Sequence, residues 1–269
     1  MISIKLYFLV GFILHAHGEH ILIPDVPYGS HPEQIMDIYL PSSENSVVSK
    51  VVVLVHGGAW FSGEKADMLE FVPFLERDFP DYCIANMDYQ LGTHESPGFP
   101  KQVDDLDLAL TYLRGTFTNN VTFALFGTSA GAHLSMLYSY SRNVTDVKII
   151  VSHVGPPDLT DPSYVGNPLY NGLFYNLVGP CLYAECPDLY NATSPLVYVN
   201  ERSAKTIGFY GDFDLQVPST QMPLLREKLG SFGVTNKFKV YQGGHGWNWS
   251  DADKEDLRVE ITQFFNENW

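Results

Sequence analysis

The chain has 269 residues, of which 45% are hydrophobic and 17% are charged. This composition excludes an intrinsically disordered protein, and the length allows one or two domains with a large core. The formal net charge of −15 disfavours binding to nucleic acid or to an anionic membrane surface. Three cysteines are too few for a small fold built on disulfides. A globular protein is therefore expected.

The first 18 residues have the pattern of a secretory signal peptide. Lys5 supplies a positive charge, residues 6–14 are apolar, and Ala16 and Gly18 are small enough for a cleavage site. The mature chain is therefore expected to begin near residue 19 and to be secreted. The apolar run is shorter than the roughly 20 residues of a spanning helix, so no membrane span is expected in the mature chain.

Two further features agree with export. Cys181 and Cys186 are close enough in sequence to close a small loop in an oxidising compartment, whereas Cys83 lies in an apolar run and is predicted to be a buried thiol. Glycosylation is predicted at the four N-x-Ser/Thr sequons. These sequons are Asn120, Asn143, Asn191 and Asn248.

Strands and helices alternate along the rest of the chain. The predicted strands cover residues 20–27, 34–40, 51–55, 82–87, 121–126, 147–153, 206–210 and 237–241. The predicted helices cover residues 65–79, 99–113, 130–140 and 220–229, and a last helix begins at 252. About forty residues after Pro157 have no regular pattern and are rich in Pro, Gly, Tyr and Asn.

This alternation predicts an α/β fold in which helices cover both faces of a mostly parallel sheet. The first two strands have no helix between them, which favours an antiparallel edge. The irregular segment, at about residues 157–195, is predicted to be a short cap or lid. Residues 19–269 are therefore predicted to form a single domain with this insert.

Ser129 lies in the sequence Gly-Thr-Ser-Ala-Gly, between a predicted strand and a predicted helix. Flanking glycines permit the tight turn that exposes a nucleophilic serine, and the N–H of Ala130 is then available at the helix N-terminus. The alternative is an ordinary serine that caps the helix.

A second motif, His56-Gly-Gly-Ala-Trp60, ends the strand over residues 51–55. An oxyanion needs preorganised donors, and the backbone N–H groups of Gly58 and Ala59 are predicted to join that of Ala130. His56 is predicted to brace this loop rather than to act as a base, and Trp60 is predicted to pack beneath it.

A serine nucleophile needs a base and an orienting carboxylate. His245 follows the strand over residues 237–241 and is the last histidine in the chain. Asp212 and Asp214 both follow the strand over residues 206–210 and compete for the role of the acid, with Asp214 favoured. Each of these turns lies at the carboxyl end of a strand, where open α/β sheets bind ligands.

Several other polar residues are predicted to be structural. His133 and His153 are predicted to be buried histidines, and Asp88 and Asp105 are predicted to form ion pairs or caps. The sequence has no G-x-G-x-x-G, P-loop or metal-ligand spacing, so no metal and no cofactor are expected.

Taken in order, HGGAW, GTSAGAHL, SPLVYV, GDFDLQVP and GGHG resemble the α/β-hydrolase superfamily, above all its feruloyl-esterase-type (BD-FAE-like) and kynurenine-formamidase branches. The resemblance covers nearly all of the mature chain. It implies a triad of Ser129, Asp214 and His245, with an oxyanion hole at Gly58, Ala59 and Ala130. Gln90 and Thr128 depart from the residues usual in the family, which affects secondary contacts and not the triad.

The favoured hypothesis is a secreted serine hydrolase that cleaves small-molecule carboxylic esters through an acyl-enzyme. One alternative is an arylformamidase, which the signal peptide opposes. Another is a non-catalytic binding protein on the same fold, which an intact triad opposes.

Six aromatic residues of the insert either line an apolar pocket or pack the cap onto the rest of the domain. They are Tyr164, Tyr170, Phe174, Tyr175, Tyr183 and Tyr190. The natural substrate and the oligomeric state stay open.

Overall fold

The computed structural model describes residues 15–17, 20–42, 47–117, 120–218 and 220–269. The strands in this part of the chain are β1 (His15–His17), β2 (His20–Pro27), β3 (Ile35–Pro41), β4 (Lys50–Val55), β5 (Cys83–Met87), β6 (Thr122–Thr128), β7 (Val147–His153), β8 (Lys205–Gly211) and β9 (Asn236–Tyr241). The α-helices are α1 (Val72–Asp78), α2 (Lys101–Thr116), α3 (Ala130–Ser141), α4 (Pro168–Val178), α5 (Pro187–Ala192), α6 (Gln221–Ser231) and α7 (Asp251–Asn268). Two 3₁₀ helices cover Lys65–Phe71 and Pro195–Tyr198.

These strands form one sheet in the order β1-β2-β3-β5-β4-β6-β7-β8-β9. The first three strands pair antiparallel, β3 pairs antiparallel with β5, and every pair from β5 to β9 is parallel. The prediction of a mostly parallel sheet with an antiparallel edge is confirmed. Since the parallel strands all point one way, their carboxyl ends lie along one edge of the sheet.

Helices cover both faces of the sheet because side chains alternate along each strand. In β4, Val53 belongs to a core cluster that also contains Leu110 of α2 and Leu134 of α3. The neighbouring Leu54 belongs to a second cluster, which contains Ile261 of α7. The continuous apolar sequence of β4 therefore serves two cores, one on each face.

Two stretches differ from the sequence prediction, and proline explains both. The helix expected over residues 65–79 is a 3₁₀ helix followed by α1, because Pro73 has no N–H to donate to the preceding turn. The segment expected to be irregular contains α4 and α5, which begin at Pro168 and Pro187. Proline fits the first turn of a helix, whose N–H groups have no partner within the helix.

The predicted signal peptide lies almost entirely outside the described residues. Of its 18 positions only β1 is described, and β1 pairs with the beginning of β2. Within the described residues, no helix combines the length and apolar character needed to cross a bilayer.

Candidate active site

Ser129 occupies a strained turn between β6 and α3. Its φ of 54° and ψ of −117° are unusual for a residue with a side chain. A side chain on Gly127 would place its Cβ 2.3 Å from Ala132 N, and one on Gly131 would place it 2.1 Å from Val55 O. Gly131 is therefore required for α3 to approach β4 this closely, and Gly127 is required for α3 to approach the end of β6, so the turn places Ser129 directly after the strand.

Ser129, His245 and Asp214 form a continuous chain of hydrogen bonds. His245 Nε2 lies 2.7 Å from Ser129 Oγ, and His245 Nδ1 lies 2.6 Å from Asp214 Oδ2. The other carboxylate oxygen of Asp214 accepts from the backbone N–H groups of Gln216, at 2.7 Å, and Val217, at 2.9 Å. Both oxygens of this buried carboxylate are thus occupied, which fixes the plane of the imidazole.

The second acid of this turn has a different partner. Asp212 Oδ1 accepts from Gly243 N at 2.8 Å, so Asp212 holds the loop before His245 and does not contact the imidazole. Asn248 Oδ1 accepts from Gly244 N at 2.8 Å, and Trp249 Nε1 donates to Gly244 O at 3.0 Å. The sequence marks Asn248 only as a sequon and gives no sign of these two supports, which appear only in the folded loop.

The loop of residues 56–60, here named the oxyanion loop, lies against the serine turn. A Cβ on Gly57 would lie 3.3 Å from Ser129 Cβ. Gly58, Ala59 and Trp60 all have a positive φ, of 106°, 48° and 69°. Within the described residues, the N–H groups of Gly58, Ala59 and Ala130 donate to no acceptor, so all three are free to bind one.

His56 braces this loop from below, as its position in the motif predicts. Its Nδ1 donates to Gly57 O at 2.7 Å, and its ring stacks on Tyr89 with the centroids 4.1 Å apart. The Tyr89 hydroxyl donates to His56 O at 3.0 Å. Burial lowers the pKa of His56 to about 4, so this histidine is neutral at ordinary pH.

Two more histidines are buried near the serine. His133 Nδ1 accepts from Trp60 Nε1 at 3.1 Å, and its Nε2 donates to Thr193 O at 2.7 Å. His153 Nδ1 lies 3.2 Å from Thr128 Oγ1, and its ring meets Trp249 edge-on. Burial lowers the pKa of His133 to about 4 and that of His153 to about 3. Both rings are therefore neutral at ordinary pH.

The departure at Gln90 leaves Asp105 well partnered. Asp105 accepts from Gln90 N at 2.7 Å, from Gln90 Nε2 at 2.9 Å and from Gln34 Nε2 at 2.6 Å. Asp88 accepts from the backbone N–H of Lys65 and therefore caps that turn. Three N–H donors thus bind the Asp105 carboxylate, and Gln90 supplies two of them.

The cap aromatics mainly pack against one another. Tyr164, Phe174 and Tyr190 are buried, and Phe174 touches both tyrosines as well as Trp60 of the oxyanion loop. The other three aromatic residues of the cap are partly exposed. Of these, Tyr170 donates to Leu215 O at 2.8 Å. The cap rings therefore pack together, and Phe174 and Tyr170 attach them to the rest of the domain.

The remaining predictions concern the cysteines, the sequons and a metal site. Cys181 and Cys186 are joined in a disulfide with an S–S distance of 2.03 Å, and Cys83 is a buried free thiol. The four sequon asparagines are exposed. Among the described residues, no group of three or more His, Cys, Asp or Glu side chains is arranged to hold a metal ion.

The architecture is the α/β-hydrolase fold, with a serine turn, an acid and a histidine at the carboxyl ends of the parallel strands β6, β8 and β9. A family model, BD-FAE, matches residues 36–229, which include Ser129 and Asp214. The chain belongs to the BD-FAE family.

The chain is also similar to named esterases and to solved structures. The chain is 23% identical to the esterase LipC of Mycobacterium tuberculosis over 88% of its length, and 24% identical to the probable isoprenylcysteine alpha-carbonyl methylesterase ICMEL2 of Arabidopsis thaliana over 81%. It spans only 62% of the first relative and 55% of the second. A truncated carbohydrate esterase from gut microbiota has the same fold, with a TM-score of 0.79 and 21% identity, and the match covers 91% of this chain and 95% of that one.

Proposed function

We propose that this protein is a carboxylic-ester hydrolase that works through a covalent acyl-enzyme on Ser129. The observation that carries the proposal is the hydrogen-bond chain from Asp214 through His245 to Ser129 Oγ, at distances of 2.6 and 2.7 Å. A serine hydroxyl becomes a nucleophile only when a base accepts its proton, and a base of this kind needs an orienting acid. Membership of the BD-FAE family and the esterase relatives support the same activity.

In the proposed reaction, Ser129 Oγ attacks the ester carbonyl carbon while its proton passes to His245 Nε2. Asp214 accepts the hydrogen bond from Nδ1–H and stabilises the imidazolium. The N–H groups of Gly58, Ala59 and Ala130 stabilise the oxyanion of the tetrahedral intermediate. This intermediate collapses, and the alcohol leaves with the proton from Nε2.

Water completes the cycle. His245 takes a proton from a water molecule, which attacks the acyl carbon, and a second tetrahedral intermediate forms in the same oxyanion hole. Its collapse releases the carboxylic acid and returns the proton to Ser129 Oγ. In this scheme all three oxyanion donors come from the backbone and need no rearrangement during the reaction.

The test is covalent labelling with a fluorophosphonate, together with hydrolysis of phenyl acetate and of an N-formyl aromatic amine. We expect the wild type to be labelled and to cleave the ester, and Ser129→Ala to do neither. Faster cleavage of the formamide would favour an arylformamidase. A folded wild type that is neither labelled nor active would overturn the proposal and favour a binding protein.

We further propose that the chain is exported and glycosylated. The leader pattern, the Cys181–Cys186 disulfide and the exposure of all four sequon asparagines support this. Expression in a eukaryotic secretory host is expected to yield a protein in the medium that begins near residue 19. Its mass is expected to fall after treatment with an N-glycosidase. Retention in the cell with residues 1–18 intact would refute the proposal.

A further inference from the structure

The oxyanion loop has a backbone conformation that its own residues do not favour. Ala59 and Trp60 have φ values of 48° and 69°, in the left-handed region that residues with a Cβ seldom occupy. Two such residues in succession persist only where surrounding contacts hold them. The groups that hold Trp60 therefore control where the N–H groups of Gly58 and Ala59 point.

Trp60 is held at its carbonyl and at its side chain. Its carbonyl accepts from Gln102 Nε2 and from Gly92 N, both at 2.7 Å. Its indole N–H donates to His133 Nδ1 at 3.1 Å, and both rings are buried. An indole nitrogen is a donor only, so His133 Nδ1 must be unprotonated and its hydrogen must lie on Nε2.

The other ring nitrogen of His133 contacts the cap. Nε2–H donates to the carbonyl of Thr193, which follows α5, at 2.7 Å. His133 is also attached to the serine turn, because its backbone N–H donates to Ser129 O at 3.0 Å. His133 thus joins the first turn of α3 through its backbone, and the oxyanion loop and the cap through its side chain.

We propose that His133 is a positioning residue that holds the oxyanion loop in register with Ser129 through Trp60, while the cap fixes the His133 ring through Thr193. The inference rests on the proposed function, since it concerns the oxyanion donors of that reaction. An oxyanion exists in the transition state and not in the bound ester. Loss of register is therefore expected to lower kcat and to leave KM nearly unchanged.

Two substitutions separate the two contacts of the ring. In His133→Asn, the amide oxygen occupies the place of Nδ1 and still accepts from Trp60, but the contact with Thr193 is lost. In His133→Gln, the amide nitrogen reaches the place of Nε2 and still donates to Thr193, but the acceptor for Trp60 is lost. Each variant removes one buried hydrogen bond, so thermal unfolding is expected to report similar losses of stability.

The two variants are expected to differ in activity although they lose similar amounts of stability. We expect His133→Gln to lower kcat for phenyl acetate about 10- to 100-fold, less than the 10²–10³-fold typical for deleting an oxyanion donor. We expect His133→Asn to retain kcat within about 3-fold, because the Trp60 contact survives. KM is expected to change less than about 2-fold in both variants.

Trp60→Phe provides an independent test, because it removes the indole N–H and leaves His133 unchanged. We expect it to lower kcat as His133→Gln does, and the double variant to be no worse than either single variant. If His133→Gln does not fold, the rate of fluorophosphonate labelling of Trp60→Phe decides the question.

Two results would overturn the inference. One is a kcat that is unchanged in His133→Gln and in Trp60→Phe, while the wild type is active. The other is an equal loss of kcat in the Asn and Gln variants that follows their loss of stability, which would make His133 merely structural. A wild type without esterase activity would instead refute the proposed function.

Discussion

The carboxyl edge of the sheet and the cap position their side chains by different means. At the sheet edge, Ser129, Asp214 and His245 each follow a parallel strand within four residues, and backbone N–H groups and glycine turns hold them. The cap, between β7 and β8, is held by ring contacts, by one disulfide and by a few hydrogen bonds to the body. The comparison indicates that contacts of the backbone fix the side chains at the sheet edge, while contacts between side chains fix those of the cap.

The sharpest test of the sheet edge compares two acids on the same turn. In Asp214→Asn, the amide disfavours the tautomer with hydrogen on His245 Nδ1, so we expect kcat to fall about 10⁴-fold. In Asp212→Asn, the amide oxygen still accepts from Gly243 N, so we expect kcat within about 2-fold of wild type. Steady-state kinetics with phenyl acetate measures both.

The Asp212 variant serves as the matched control for the loss of one negative charge in this loop. A large loss in Asp212→Asn with little change in Asp214→Asn would reverse the assignment of the acid. It would also mean that the turn rearranges when substrate binds.

Acid is expected to lower the stability of the domain through three buried histidines that lie outside the cap. Burial lowers the pKa of His56 and His133 to about 4 and that of His153 to about 3. In the unfolded chain these histidines titrate near pH 6.5, so below that pH the unfolded state binds more protons. The free energy of unfolding should therefore fall as the pH drops from about 6.5 to 4, by up to about 1.4 kcal/mol per pH unit for each histidine.

Urea unfolding at several pH values measures this slope. His133→Asn removes one of the three histidines. It is expected to reduce the slope of the free energy of unfolding against pH by the contribution of about one proton. A free energy of unfolding that stays constant between pH 6.5 and 4 would contradict the assignment of neutral buried histidines.

Local patterns account for what the sequence predicted well. The parallel strands are short apolar runs, and each reactive turn places a serine, an aspartate or a histidine beside glycine. A few neighbouring positions are therefore enough to recognise each strand and each turn. Asp212 and Asp214 stayed open because both lie on one turn, and only the folded loop shows that Asp212 contacts Gly243. The same holds for His133, whose partners Trp60 and Thr193 are 73 and 60 residues away.

The cap was predicted less well because proline occurs both in irregular chain and in the first turn of a helix. In a sequence, prolines such as Pro168 and Pro187 indicate irregular chain, yet each begins a helix, where a missing N–H has no cost. The helices are short and their aromatic residues face one another, so no clear apolar periodicity marks them. Their stability comes from tertiary contacts, which a single sequence does not display.

Removing the disulfide is expected to affect the cap and spare the chemistry. Cys181 and Cys186 are five residues apart, and closing so short a loop contributes about 2 kcal/mol in the chain-entropy model. In Cys181→Ala/Cys186→Ala we expect faster hydrogen exchange in α4 and α5 and an unchanged kcat for phenyl acetate. A kcat that falls with the exchange protection would show that the cap takes part in the chemistry.

The prediction with the smallest expected effect tests whether the sheet edge or the cap selects the leaving group. Trp247 is 65% exposed, and its ring lies edge-on to the His245 imidazole with the centroids 4.9 Å apart. In the proposed reaction this imidazole protonates the leaving oxygen, so a ring beside it would lie next to the leaving group. We expect Trp247→Ala to raise KM for phenyl acetate about 3- to 10-fold and to leave KM for methyl acetate unchanged, because only the aryl ester loses a ring contact.

The matched variant on the cap is Leu169→Ala, which truncates a side chain that is 80% exposed. If Leu169→Ala discriminates between the two esters and Trp247→Ala does not, selection of the leaving group belongs to the cap and not to the sheet edge.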